Sequence, residues 1–294
     1  MANKIINKTM DINDLKTDEA LRIVDELNGL IGKLRDENLR ISSWWGKFDL
    51  TEDRNSSEWI IRGYNYQCLP GAVDDKNFPW FLYWEIVWVI LNNKLRSQQR
   101  ILDLGGSSSL FSFYLASKGF DVTTIDTQRK LVDNANLVAQ RTGWNLKNYD
   151  MDIRKLNLDS KFDHITSICV FEHVPIYDRI VVNSKIKDQL AENGKFSITF
   201  DYRNPNRHAR ISSPKDIYEQ FVRPSGLKIR GNETFFDNGE NYLLSPFFYN
   251  KPSLKSLLRI KIPSILEGRF KPWEIFKVRD ANNYTFGALF LEKA

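Results

Sequence analysis

The sequence predicts an α/β protein built on a doubly wound, mostly parallel sheet, and three observations carry that reading. The first is the stretch from Arg100 to Asp126, where a short apolar strand, a glycine turn, a helix and a second strand follow one another. The second is the continuation of this alternation as far as Phe200, at the spacing of repeated βα units. The third is the run Asn283 to Glu292, rich in the aromatic and branched residues that suit a strand.

Taken in order, the chain opens with a polar segment and then, from Asp11 to about Arg40, places Ala20, Val24, Leu27, Ile31 and Leu34 at three- and four-residue steps. That spacing predicts one long amphipathic helix, which either packs across its own domain or pairs with a second copy as a homodimer. Trp44 to Leu95 follows, dense in aromatic residues whose faces pack in a core or hold an organic substrate as a cap. Its most apolar part, Phe78 to Leu91, contains Pro79 and Glu85 and is shorter than the roughly 20 residues of a membrane span, so it reads as a buried helix. Ile101 to Leu104 is the first strand of the sheet, Leu110 to Ser117 a helix and Val122 to Ile125 the second strand. Tyr149 to Asp152 falls after the third strand, and Phe162 to Val170 reads as the fourth. Ile180 to Leu190 has helical spacing, and Asn193-Gly194 turns the chain into a fifth strand, Phe196 to Phe200. Tyr202 to Arg230 is polar and basic, and Ser253 to Leu266 is apolar and basic in turn.

The 294 residues are enough for one large α/β domain with an added segment. We place the boundary at 95/96, with a helical, aromatic-rich extension at 1–95, the main domain at 96–294 and a basic insertion at about 203–280. The formal net charge of +5 is mildly basic and suits an anionic substrate, but no nucleic-acid module is recognisable, and membrane-surface contact is not expected. The two cysteines, Cys68 and Cys169, lie far apart, which argues against a disulfide framework or a metal site and for a reducing cytoplasm. No signal-like apolar run opens the chain.

The chemistry is concentrated in the first βαβ unit. Gly105 and Gly106 let a ligand approach the backbone, the following helix offers unpaired N–H groups, and Asp126 ends the second strand where a ribose diol can be held. An adenosine-containing cofactor is therefore expected. A dinucleotide site would want a second glycine at position 107 and a third at 110, where Ser107 and Leu110 stand. Asp103 would also repel a pyrophosphate, whereas it suits a cofactor carrying an ammonium group.

From Arg100 to about Tyr202 the chain resembles the class I S-adenosylmethionine-dependent methyltransferases. The family's acidic residue and glycine run appear as Asp103, Gly105, Ser107 and Ser109, with one glycine of three kept. The resemblance implies a seven-stranded sheet closed by an antiparallel C-terminal strand. It places Asp103, Gly105, Gly106 and Ser107 near the methionine part of S-adenosylmethionine, Asp126 on the ribose, and Asp152, with Asp150 in reserve, at the adenine. Phe171-Glu172-His173-Val174 looks like the loop after the fourth strand of many small-molecule methyltransferases, with Glu172 near the cofactor.

Methyl transfer to a hydroxyl needs a base, and His173 is the first candidate and His208 the second, since histidine titrates near neutrality. Tyr202 and Asp201 are weaker options, and His164, inside a strand, is expected to be structural. The expected acceptor is a small molecule, sugar-like or phosphate-bearing, because aromatic faces stack on sugars and arginine forks match phosphate. Two other readings compete: a nicotinamide-dependent oxidoreductase, and a methyltransferase fold without activity that serves as a binding scaffold.

Overall fold

The computed structural model describes residues 4–42, 80–204, 210–243 and 283–293. Its sheet is assembled from β1 (Lys8–Thr9), β2 (Arg100–Leu104), β3 (Asp121–Asp126), β4 (Leu146–Asp150), β5 (Phe162–Ile168), β6 (Leu190–Tyr202), β7 (Lys228–Ile229), β8 (Tyr242–Leu243) and β9 (Asn283–Glu292). Seven strands form the continuous order β1-β9-β6-β5-β2-β3-β4. The five from β2 to β6 run parallel, and β9 lies antiparallel to β6. This is the doubly wound sheet with an antiparallel C-terminal strand that the sequence predicts.

The edge beyond β9 differs from expectation. It is covered by three two-residue strands in succession, β7, β1 and β8, all antiparallel to β9. The polar N-terminal segment thus belongs to the sheet, anchored by Asn7, whose amide donates to Arg230 and Asn232 carbonyls and whose side-chain oxygen accepts from the Phe290 N–H. Covering an edge in short pieces leaves little unpaired backbone for another chain to join.

Alternate residues of each strand face two cores. Ile101, Val122 and Phe286 point to one side, against α1 (Asp18–Asp36), α2 (Trp80–Asn93), α3 (Leu110–Ser117) and α4 (Arg129–Thr142). Leu102, Phe196 and Leu289 point to the other, against α5 (Ile176–Gln189) and a helix that begins as α6 (Pro214–Ile217), widens to a π turn at Tyr218–Val222 and ends as α7 (Arg223–Ser225). The widening precedes Pro224, which has no N–H for the Gln220 carbonyl four residues earlier. The Asn183 side chain donates to that carbonyl instead, at 3.0 Å.

The long helix predicted over 11–40 is shorter. A 3₁₀ turn at Ile12–Lys16 comes first, and Thr17 caps α1 by accepting from the Ala20 N–H. Its apolar stripe, Ala20, Ile23, Val24, Leu27, Leu30, Ile31 and Leu34, is buried in the first core, so that face is not free to pair with a second copy. Leu27→Ala is expected to lower the unfolding free energy by about 2–5 kcal/mol, as read by denaturant titration. A smaller change would mean that α1 is not part of the cooperative unit.

The segment read as a buried helix is α2. Trp84 stacks on Trp88 with centroids 5.9 Å apart, the Trp84 indole donates to Asp14 and the Trp88 indole to the Ile6 carbonyl. Tyr83, Trp84 and Trp88 are therefore core residues that tie the N-terminal segment down. The remaining candidates for an aromatic cap from Trp44 to Phe78 lie outside the described residues, as do Ser253 to Leu266 and Cys68. No helix among the described residues is long and apolar enough to cross a membrane.

Candidate active site

In a doubly wound sheet the ligand crevice opens at the carboxyl ends of the strands, where the strand order reverses. Here that point lies between β2 and β5, and a cavity of about 470 Å³ occupies it. Its walls come from the turn after β2, the loops after β3, β4 and β5, and from Ser42, Leu82 and Ile86 of the N-terminal segment.

The turn after β2 is built for close approach. Gly105 has φ +73°, a left-handed conformation that glycine adopts without strain, and a Cβ there would meet Val170 at 2.8 Å. At Gly106 a Cβ would overlap the Asp103 carboxylate, which folds back over the turn. That carboxylate accepts hydrogen bonds from the hydroxyls of Ser112 at 2.7 Å, Thr166 at 2.9 Å and Ser109 at 3.4 Å. Burial raises the Asp103 carboxyl to about 6, the three hydroxyls offsetting only part of the effect.

The serines that stand in place of glycines have structural work. Ser109 caps α3 by accepting from the Ser112 N–H at 3.0 Å, and Ser107 shares a 2.7 Å hydrogen bond with Thr124 on β3. Ser108 takes φ +63°, with its hydroxyl donating to the Leu131 carbonyl and accepting from Asn134. The loop is thus pinned by hydroxyls to β3 and α4.

Asp126 lies in the cavity wall at the end of β3, where its carboxylate accepts from the Gln128 N–H at 2.8 Å. Burial raises its carboxyl above the ordinary range, backbone N–H groups of Gln128 and Thr127 counteract this, and Asp150 adds to it. Asp103, Gly105, Gly106 and Asp126 are therefore brought together on one cavity. Ser107 stands behind the turn rather than in the lining. After β4 it is Met151 and Ile153 that line the cavity. Asp152 between them is held by Arg154 through three side-chain contacts of 3.0, 2.8 and 2.5 Å, and Asp150 faces Arg129 at 3.7 Å. The structure does not bring either carboxylate to the cavity.

The loop after β5 supplies Cys169, Val170, His173 and Val174 to the wall. Cys169 takes φ +56°, in the left-handed region that a side chain rarely adopts. The His173 side chain is 52% exposed, with Nε2 3.9 Å from Glu172, whose own side chain is buried behind it. His164 is buried on β5, and burial, with Lys195 and Arg230 nearby, lowers it to about 3, so it stays neutral and takes no part. His208 lies outside the described residues.

Sequence reasoning did not find the group behind this loop. Cys169, Glu172 and Asp201 are buried with one donor atom of each within 4.8 Å of the others, and Glu85 of α2 approaches the same group. The cysteine spacing gave no hint of it, although Glu85 inside the most apolar run was a visible signal. The basic stretch after β6 turns away from the cavity where it is described. Arg203 pairs with Asp237 at 2.6 Å, Arg223 with Glu219, and Arg230 donates to the Asn92 carbonyl and the Asn93 side chain. Among the described residues that line the cavity there is no lysine or arginine.

The described lining fits an adenosine cofactor that carries an amino acid. A bare turn meets its backbone, Asp126 can take a diol, Asp103 can take an ammonium, and Met151 and Ile153 offer an apolar flank. The methyltransferase-domain family model matches residues 101–194, from β2 into β6. This segment is a class I methyltransferase domain. Such a domain uses S-adenosylmethionine, which supplies a methyl group on a positively charged sulfur.

The methyltransferase domain also carries the likeness to whole proteins. Over 144 residues the chain is 32% identical to the ubiquinone biosynthesis O-methyltransferase of Rickettsia prowazekii, a match covering 45% of this chain and 56% of that enzyme. A match of 32% over 143 residues joins it to the protein of the same name from Coxiella burnetii, covering 44% and 59%. The chain thus spans somewhat over half the length of these curated relatives. Among solved structures, coclaurine N-methyltransferase bound to N-methylheliamine and SAH is 13% identical, with a TM-score of 0.51 over 97% of this chain and 95% of that one. At that identity the likeness speaks for the fold alone.

Proposed function

We propose that the protein transfers the methyl group of S-adenosylmethionine to a hydroxyl of a small organic molecule. The observation that carries this reading is the single cavity on which Asp103, Gly105 and Asp126 meet His173. The relatives' naming as O-methyltransferases supports oxygen as the acceptor atom. In this reading the turn and Asp126 hold the nucleoside, Asp103 holds the ammonium, and His173 removes the proton of the acceptor hydroxyl. Alignment of acceptor and methyl carbon supplies the rest of the acceleration. Phosphate recognition would rest on Arg207 and its neighbours, outside the described residues. Cys169 is buried and in no disulfide among the described residues, which accords with work in a reducing cytoplasm.

Two results test the assignments. His173→Ala is expected to reduce turnover by roughly 10²–10⁴-fold while S-adenosylmethionine affinity changes little. Full activity in that variant would remove the base. Asp103 gives a pH signature. Because its folded-state carboxyl lies near 6, above the ordinary 3.8, the neutral form is the one the empty fold favours. The stability this contributes is complete below the ordinary value and lost as pH rises through about 6. An ammonium seated beside it reverses the preference, so binding near pH 5.5 to 6 should release protons. Calorimetry in buffers of different ionisation enthalpy measures this, and Asp103→Asn should abolish the release. Equal release in the variant would place the ammonium elsewhere.

A further inference from the structure

The buried stripe of α5 is not apolar throughout. It consists of Arg179, Val182, Asn183, Ile186 and Gln189, with Arg179 and Asn183 at positions where an aliphatic side chain is the usual choice. A buried guanidinium is costly unless its donors are placed. One Arg179 nitrogen donates to the Gln220 side-chain oxygen and another to the Val174 carbonyl at 3.0 Å, while the guanidinium lies over the Phe221 ring at 5.6 Å. A planar fork can serve both acceptors and stack at once, which an ammonium cannot.

Gln220 and Phe221 both come from the π turn at Tyr218–Val222. The Asn183 side chain holds Gln220 by its carbonyl, and Phe221 meets Phe171 edge-on with centroids 5.9 Å apart. π turns occur frequently at functional sites, and this one reaches the cavity through the loop after β5. Cys169 opens that loop in the left-handed region, a conformation that persists only where the surroundings impose it. Thr199 holds the start of the loop, its carbonyl and hydroxyl oxygens both accepting from the Cys169 N–H, and Arg179 holds the end at Val174. Between these two anchors the Val170 methyls close over Gly105, and His173 lines the cavity.

We propose that Arg179 is a positioning residue for the cofactor site. Clamped by Gln220 and Phe221, it fixes the loop after β5 and, through Val170, the bare turn at Gly105. The inference rests on the methyltransferase reading and assigns part of the cofactor affinity to side chains outside the cavity wall. When Arg179 loses its hold, the loop relaxes from its imposed conformation and Val170 shifts against the turn, while the sheet and its two cores persist.

Calorimetric titration with S-adenosylhomocysteine tests this without an acceptor. Gln220→Met removes the acceptor for Arg179 at similar volume and should weaken binding roughly tenfold, the scale of a lost hydrogen bond to a charged group. Gln220→Glu keeps an acceptor and should bind like the wild type. Both variants lose the Gln220 donor to the Arg210 carbonyl, so the comparison isolates the hold on Arg179. Arg179→Lys, which keeps the charge without the fork, should repeat the loss. Leu27→Ala, in the other core, should unfold more readily yet keep wild-type affinity. Full affinity in Gln220→Met or in Arg179→Lys overturns the proposal, and so does equal weakening in Gln220→Glu or Leu27→Ala, which would mark a general loss of stability. If the wild-type protein binds neither S-adenosylhomocysteine nor S-adenosylmethionine, the methyltransferase reading itself falls, and the inference with it.

Discussion

Gly106→Ala should leave a folded protein that no longer binds S-adenosylmethionine measurably. The reason is local and steric. A Cβ at 106 would occupy the space of the Asp103 carboxylate, which is 1% exposed and held by Ser112, Thr166 and Ser109. A strand and a helix hold the turn on its two sides, because the Gly105 N–H donates to the Ile125 carbonyl of β3 and Ser109 caps α3. Either the turn or the carboxylate must move, and each is a proposed contact of the cofactor. Overpacking of this kind costs about 1–3 kcal/mol of stability, so thermal unfolding should still be cooperative. A variant that is equally stable and binds normally would show that Asp103 and the turn do not form the cofactor site.

Asp126→Ala should weaken S-adenosylmethionine binding by roughly 1–3 kcal/mol, the scale of a lost buried hydrogen-bonding partner. Asp126→Asn is the control, since it keeps an acceptor for the Gln128 N–H and loses the charge. If the carboxylate accepts from two ribose hydroxyls, the asparagine variant should fall between wild type and alanine, and the loss should be shared by S-adenosylhomocysteine, which has the same ribose. Unchanged affinity in the alanine variant would take the ribose away from Asp126.

Those two residues lie in the part of the molecule most open to reading from sequence, and the reason is physical. The strand-turn-helix-strand unit is local, its periods change from two to 3.6 and back within 27 residues of sequence, and the glycines mark the one place where the backbone must be bare. Other elements carry weaker signals. β1, β7 and β8 are two residues each, too short to show a period, and exist because β9 offers them an edge. The third strand, Leu146-Lys147-Asn148-Tyr149-Asp150, is polar because it is itself an edge, and this hid the fact that Tyr149 and Asp150 belong to it.

The site divides in the same way. Asp103, Gly105, Gly106 and Asp126 come from one continuous stretch, and one cavity gathers them with His173. The resemblance points to Asp152, but at a 3₁₀ turn a carboxylate two residues before an arginine pairs with it. The cluster of Glu85, Cys169, Glu172 and Asp201 joins a helix before the sheet to two strand ends more than 80 residues later, a convergence that only the fold creates.

The most direct test of the central claim is calorimetric titration of the purified protein with S-adenosylmethionine, S-adenosylhomocysteine, NAD and NADH in parallel. Micromolar binding of the S-adenosyl compounds and none of the nicotinamides is the expected result. Binding of NADH would turn the first βαβ unit into a dinucleotide site, and binding of none of the four would leave the domain a scaffold.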